Sequence, residues 1–135
     1  MMSGSLTLRG EWAPRVLSVV RIVAGLMFLE HGMAKLFGFP GGRPGPHAFQ
    51  LMWFAGVIET VCGGLIALGL FTRAAAFLAS GEMAIGYFYS HAPRSFFPLL
   101  NGGDAAILYC FLFLYFFAAG GGAWSLDRLI RRGPD

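Results

Sequence analysis

Four apolar stretches, separated by short polar or Pro/Gly-rich breaks, organise the chain. They predict helices over about 14–38, 49–70, 72–92 and 104–119. Each is long enough, or nearly so, for the roughly 20 residues that cross a hydrocarbon core of about 30 Å. The last is the shortest and can borrow length from 101–103 or 120–123. Pro14 suits the first turn of the first helix, where its missing N–H would be unpaired anyway. Residues 39–46 are a Pro/Gly breaker run and residues 70–73 a tight turn. Residues 93–103 form a longer loop whose Phe96, Phe97, Leu99 and Leu100 would lie at a membrane surface or fold back over the helices.

Composition turns this pattern into a class. Of 135 residues, 56% are hydrophobic and 13% charged, about half the charged share of a soluble domain. The expectation is an all-α integral membrane protein: one domain over 1–135, a four-helix bundle in a lipid bilayer. The net charge of +3 is spread singly between apolar runs, which is not the basic stripe of a nucleic-acid binder. Cys62 and Cys110 sit inside apolar runs without a CxxC or a zinc spacing, as small buried hydrophobes do. Arg9 and Arg15 precede an apolar run as in a signal peptide, yet no small-residue cleavage site follows before Glu30, His31 and Lys35. The first segment therefore reads as a retained helix. With both termini inside, Arg9, Arg15, Arg73, Arg128, Arg131 and Arg132 face Lys35, Arg43 and Arg94 across the membrane. That bias predicts cytoplasmic termini and a multi-pass protein of the inner membrane, with Trp12 and Trp124 at the inner interface and Trp53 at the outer one.

Candidate chemistry lies in the charges at bilayer depth, each of which costs several kcal/mol unless paired or hydrated. Glu59 and Glu82 both fall about ten residues from a helix end, roughly 15 Å deep, on consecutive antiparallel helices. Facing each other, they would share a proton. Glu30, His31 and Lys35 occupy the outer half of the first helix, and His91, Arg94, Asn101 and Asp104 the outer rim. The sharp reading is a polar pocket opening outward, with Glu30, Glu59 and Glu82 as proton-handling groups and His31, Lys35, His91, Arg94, Asn101 and Asp104 as substrate-binding groups. The bland reading pairs Glu59 or Glu82 with Arg21 to hold the helices together and leaves Lys35, Arg94 and Asp104 as interfacial anchors. His47, in the Pro/Gly run, reads as solvent-facing. Gly25/Gly32 and Gly56/Gly63 repeat every seven residues and thin one side of each helix for close packing. Aromatic residues crowd the fourth helix, either as core or as a flat wall for a quinone ring. His31 and His91 are the one pair that could hold haem between helices, and Glu30, His31, His91 and Asp104 the one set for a metal; so small a donor set argues against both. Arg21 precedes Glu30 and Arg73 precedes Glu82 by nine positions, a faint echo of a two-plus-two duplication.

The polar positions and their order resemble the DoxX family of small membrane proteins. The stretches that carry it are Arg21-Ile-Val-Ala-Gly-Leu-Met-Phe-Leu-Glu-His-Gly-Met-Ala-Lys-Leu-Phe-Gly38, Gly56-Val-Ile-Glu-Thr-Val-Cys-Gly-Gly64 and Leu68-Gly-Leu-Phe-Thr-Arg-Ala-Ala75. His91-Ala-Pro-Arg-Ser-Phe-Phe-Pro98, Asn101-Gly-Gly-Asp104 and Ser125-Leu-Asp127 follow. The resemblance implies a four-helix membrane bundle and a link to quinone-dependent oxidoreductase systems that handle sulfur compounds, thiols or oxidative stress. The same Glu, His, Lys and Asn-Gly-Gly-Asp positions are its candidate site residues. On this reading quinone is the cofactor and a redox enzyme the partner; the chain lacks the paired cysteines of a thiol exchanger. Two readings from other classes stand beside it: a small-solute transporter using the same pocket, and a non-catalytic subunit that anchors a soluble redox enzyme through residues 70–73 and 127–135.

Overall fold

A computed structural model describes residues 2–41 and 50–132, and among these the fold is all-helical. The helices are α1 (Met2–Phe37), α2 (Leu51–Leu68), α3 (Thr72–Gly86), α4 (Pro98–Asn101), α5 (Asp104–Ala119) and α6 (Leu126–Arg132). Arg43, His47 and the expected start of the second helix at 49 lie outside the described residues.

α1 begins well before the expected residue 14, so Pro14 lies inside it rather than in its first turn. α3 does not run unbroken to 92. After Gly86 the chain widens into a π-helical turn, Tyr87–His91, and tightens into a 3-10 turn, Ala92–Arg94. α3 has 15 residues and α5 has 16, about 23–24 Å at 1.5 Å per residue, short of the hydrocarbon thickness. The π and 3-10 turns follow α3 directly in the chain. α1 from Gly10 and α2 are each long and apolar enough to cross a membrane unaided.

α1 packs along α2, α2 on α3, and α3 along α5. The α1–α2 seam is the closest, because glycines remove the side chains between the backbones. A Cβ on Gly25 would meet the Ala67 nitrogen at 2.5 Å, and one on Gly63 the Leu29 nitrogen at 2.5 Å. The heptad-spaced glycines thus serve close helix approach, as their spacing predicted. The core is small and runs through all four long helices: Ala24 and Phe28, Cys62 and Ile66, Ala75, Ala76 and Ala79, Phe113 and Phe116. Outside it the polarity is inverted relative to a soluble protein. Val16, Val23, Leu26, Phe77, Leu78, Ile85, Phe88, Leu108 and Phe111 are all exposed, a belt of apolar surface far beyond an isolated patch.

The two ends close differently. At the terminal end, Arg21 is buried and donates to the Gly121 carbonyl at 2.6 Å and the Trp124 carbonyl at 2.8 Å. Ser18 accepts from the Trp124 N–H at 2.9 Å, and the Ala123 N–H reaches the Pro14 carbonyl at 3.1 Å. Asp127 accepts from Phe71 and Thr72 N–H at 2.8 and 2.9 Å, covering unpaired donors of the first turn of α3. These bonds hold Phe71 at φ 49°, a left-handed conformation unusual for an aromatic residue. At the opposite end, Asn101 is 1% exposed and clasps the loop. It donates to the Tyr87 hydroxyl and the Ser95 carbonyl, both at 3.0 Å, and accepts from the Gly103 N–H at 2.8 Å. The aromatic residues of the 93–103 loop, Phe96 and Phe97, stay exposed with Leu99 and Leu100.

Candidate functional site

The glycine seam decides the first feature of the site. With α1 and α2 in backbone contact, the aliphatic stem of Lys35 lies against Gly56, and its ammonium reaches Glu59. Nζ is 2.6 Å from Oε1 and 2.8 Å from Oε2. Glu59 is 1% exposed and Lys35 26%. The partner of Glu59 is therefore Lys35, and not Arg21, whose Nη atoms are engaged by loop carbonyls at the terminal end. Two of the three ammonium hydrogens serve Glu59, which leaves the third for another acceptor.

Lys35 also lines a slot of about 580 Å³ between α2 and α3. Its walls are apolar: Met52, Phe54, Ala55 and Ile58 on α2, and Phe77, Leu78, Gly81, Met83 and Ile85 on α3. Its polar lining includes Lys35, Glu82, Ser90 and His91. Glu82 feels the charges of both Glu59 and Lys35. Its Oε2 is buried and has no hydrogen-bond partner among the described residues. The π turn decides the place of His91. Nine residues at about 100° each would point it away from Glu82 on an unbroken α-helix. The wider turn advances less per residue, and His91 joins the lining. Its Nδ1 lies 3.0 Å from the Asn101 carbonyl. That oxygen can only accept, so Nδ1 carries the proton and Nε2 is the free nitrogen.

Four of the nine candidate residues thus come together: Lys35, Glu59, Glu82 and His91. The other five do not line the slot, although His31 is near enough to Glu59 for its charge to act there. Glu30 and His31 are exposed on α1; His31 Nδ1 donates to the Met27 carbonyl at 2.8 Å, and its ring meets Tyr109 edge-on. Arg94 is exposed beside the loop, and Asp104 is exposed in the first turn of α5, where a carboxylate suits the helix dipole. The side-chain oxygen and nitrogen of Asn101 are taken up by the loop clasp. The slot also differs in aspect from the outward-opening polar pocket. Several of its walls, Met52, Phe54, Phe77, Leu78 and Ile85, are exposed on the outer faces of α2 and α3, so it opens sideways. The aromatic residues of α5 do not wall it: Phe113 and Phe116 are core, and Ala106 is the α5 residue in the lining. Nor are the two halves of the Arg–Glu echo alike, since Arg21 is buried and Arg73 exposed.

Two side chains at this depth carried no signal in the sequence. The Tyr109 hydroxyl is buried without a partner among the described residues, its ring between His31, Phe28 and Phe113. Thr60 Oγ1, next to Glu59, is likewise buried and has no partner among the described residues. A tyrosine in an aromatic run and a threonine in an apolar one look like packing residues. Among the described residues no three His, Cys, Asp or Glu side chains converge as a metal site would require, and both cysteines are free thiols.

Comparison with other proteins gives the family. The DoxX family model matches residues 16–92, a span that contains Lys35, Glu59, Glu82 and His91 and ends before Asn101. A Haemophilus influenzae protein of uncharacterised function is 46% identical over 124 residues, covering 87% of this chain and 92% of the relative. An uncharacterised membrane protein of Mycobacterium tuberculosis is 31% identical over 154 residues, covering 93% of this chain and 86% of the relative. No solved structure matches significantly.

Proposed function

The chain belongs to the DoxX family of membrane proteins, and from that premise we propose that it is a quinone-binding component of a membrane oxidoreductase system. In this reading α1, α2, α3 with its π and 3-10 extension, and α5 cross the inner membrane as a four-helix bundle with both termini in the cytoplasm. The observation that carries the proposal is the sideways slot between α2 and α3. It combines apolar walls with a Lys35–Glu59 pair, a buried unpartnered Glu82 oxygen and a free His91 Nε2.

These residues fit a quinone head group. The apolar walls suit a hydrophobic ring arriving from the bilayer, as in most small-molecule sites, where a few placed polar groups fix orientation. A quinone supplies redox chemistry, taking up electrons together with protons. The third Lys35 N–H is free to donate to a ring oxygen, and Glu59 holds that ammonium in place through two short charge-assisted bonds. Glu82 lies on the wall of the same slot and is the group placed to hold or release a proton there. His91, fixed through Nδ1 by the Asn101 carbonyl, lines the slot beside the loop with Nε2 unengaged, and a proton from water would reach Glu82 by way of it. The electrons come from a partner redox enzyme that oxidises its own substrate; sulfur compounds, thiols and oxidative-stress products are the classes the family resemblance suggests.

The test is quinone occupancy and its dependence on the slot. The protein purified in mild detergent should retain extractable quinone, and added short-chain quinone should quench Trp53, which sits on α2 between slot residues Met52 and Phe54. A Cβ at Gly81 meets nothing within 4 Å, so Gly81→Phe fills the slot without disturbing the helices and should abolish both signals. Quinone retention and quenching that Gly81→Phe leaves intact would remove the slot from the reading. Protein free of quinone and unresponsive to it would sink the reading itself.

A further inference from the structure

At the terminal end a second pocket of about 280 Å³, sharing no lining residue with the slot, lies between the loop after α5, the start of α3 and α6. Its cationic lining is Arg73, Arg128 and Arg131, and Asp127 is its one acid among the described residues. Both Asp127 oxygens are already occupied by the Phe71 and Thr72 N–H groups. Arg73 makes no hydrogen bond or ion pair among the described residues, and Arg128 makes only a long one, 3.4 Å, to the Ala123 carbonyl. Gly121 and Gly122 also line the pocket, and their N–H groups have no partner among the described residues. Three guanidinium groups, of which Arg131 also acts through its charge on Asp127, and two amides without a partner among the described residues surround one cavity and have the donor chemistry of an anion site; guanidinium forks match phosphate oxygens best.

The pocket is built and not an accident of loose side chains. Arg21 and Ser18 hold the Gly121–Trp124 backbone from beneath, and a Cβ on Gly122 would meet the Ser18 hydroxyl at 2.5 Å. Its setting identifies the source of the anion. On α6, Leu126, Leu129 and Ile130 are exposed at i, i+3 and i+4, while Arg128 and Arg131 line the pocket. A short helix so divided lies in the interfacial plane of a bilayer. Trp12 and Trp124, each 55% exposed, stand at the same end, the level such rings prefer.

We propose that this pocket binds the phosphate of an anionic phospholipid headgroup, with Arg73, Arg128 and Arg131 as its charged ligands. Bound lipid ties α6 and the loop after α5 to the start of α3, and so couples the terminal end of the fold to the membrane leaflet around it. Basic pockets at helix ends recognise anionic headgroups in this way.

Full-length protein in a mild neutral detergent is titrated with short-chain phosphatidylglycerol, phosphatidylcholine and inorganic phosphate, and thermal stability and bound lipid by native mass spectrometry are read together. Phosphatidylglycerol should stabilise and remain bound, phosphatidylcholine should do neither, and phosphate alone should act only weakly. Arg73→Gln should weaken phosphatidylglycerol about fivefold, and Arg73→Gln/Arg131→Gln by about the square of that. Arg73 has no structural bond to lose, so its variant keeps the wild-type helicity and melting point without lipid. Equal effects of the two lipids, or an unchanged affinity in Arg73→Gln, would overturn the site. Phosphate reproducing the whole effect would overturn the lipid assignment.

Discussion

Lys35→Met would leave the Glu59 carboxylate, 1% exposed, with no counter-charge. Breaking a buried pair from one side costs about 3–5 kcal/mol. The alternative, neutralising the carboxyl with a proton, costs about 3.7 kcal/mol at pH 7 for a glutamate of ordinary acidity. The two routes agree, so the loss should be about 3–4 kcal/mol. The opposite single variant, Glu59→Leu, should cost less, about 1–2 kcal/mol. The reason is geometric: Lys35 is 26% exposed and can turn its ammonium into the slot. The double variant Lys35→Met/Glu59→Leu removes both charges and keeps the volume, and should fall within about 1 kcal/mol of wild type. A coupling energy of about 5 kcal/mol follows. Reversible unfolding in mixed micelles, followed by loss of helicity, measures all four corners of the cycle. Additive single effects, or a larger loss for Glu59→Leu than for Lys35→Met, would refute the argument from burial.

Gly25→Ala or Gly63→Ala drives a methyl into backbone atoms 2.5 Å away and should cost about 1–3 kcal/mol or more, whereas Gly81→Ala, with open space around its Cβ, should gain about 0.5–1 kcal/mol; melting points in detergent separate the two. Asn101→Ala removes the bonds to Tyr87, Ser95 and Gly103; it should cost about 2–3 kcal/mol and open residues 93–103 to protease, and an unchanged digestion rate would count against the clasp. Burial alone would raise the Asp127 carboxyl, but the N–H groups of Thr72 and Phe71 and the charge of Arg131 outweigh it and hold it below the usual carboxylate range. Its contribution, about 1 kcal/mol as for a helix cap, is therefore complete above the unfolded value near pH 4 and is lost as pH falls through the lower folded value. Wild type and Asp127→Ala should differ in melting point at pH 6 and converge once pH falls below the folded value of Asp127; a constant difference would place the effect elsewhere.

Hydropathy alone identified the apolar stretches and the membrane setting, because cost in a bilayer depends on each residue and its neighbours along the chain. The segment 104–119 is read from sequence to the residue, since Gly103 and Gly120 bound it. The start of α1 is not, and neither is the break after Gly86, where Tyr87 and His91 meet Asn101 across the loop. The glycine heptads announced a close seam between two helices, and Glu59, Glu82, Lys35 and His91 stood out as charges or histidines at depth. What remained open was which of them meet. Period and spacing fix the face of a residue relative to its own helix, but not the rotation of that helix against the next. The α1–α2 backbone contact sets that rotation and so assigns Glu59 to Lys35. Arg21 was legible as a buried charge, yet its partners are the carbonyls of Gly121 and Trp124, about a hundred positions away. Every residue has a carbonyl, so such a partner leaves no mark in the amino-acid sequence, and only the folded chain selects it.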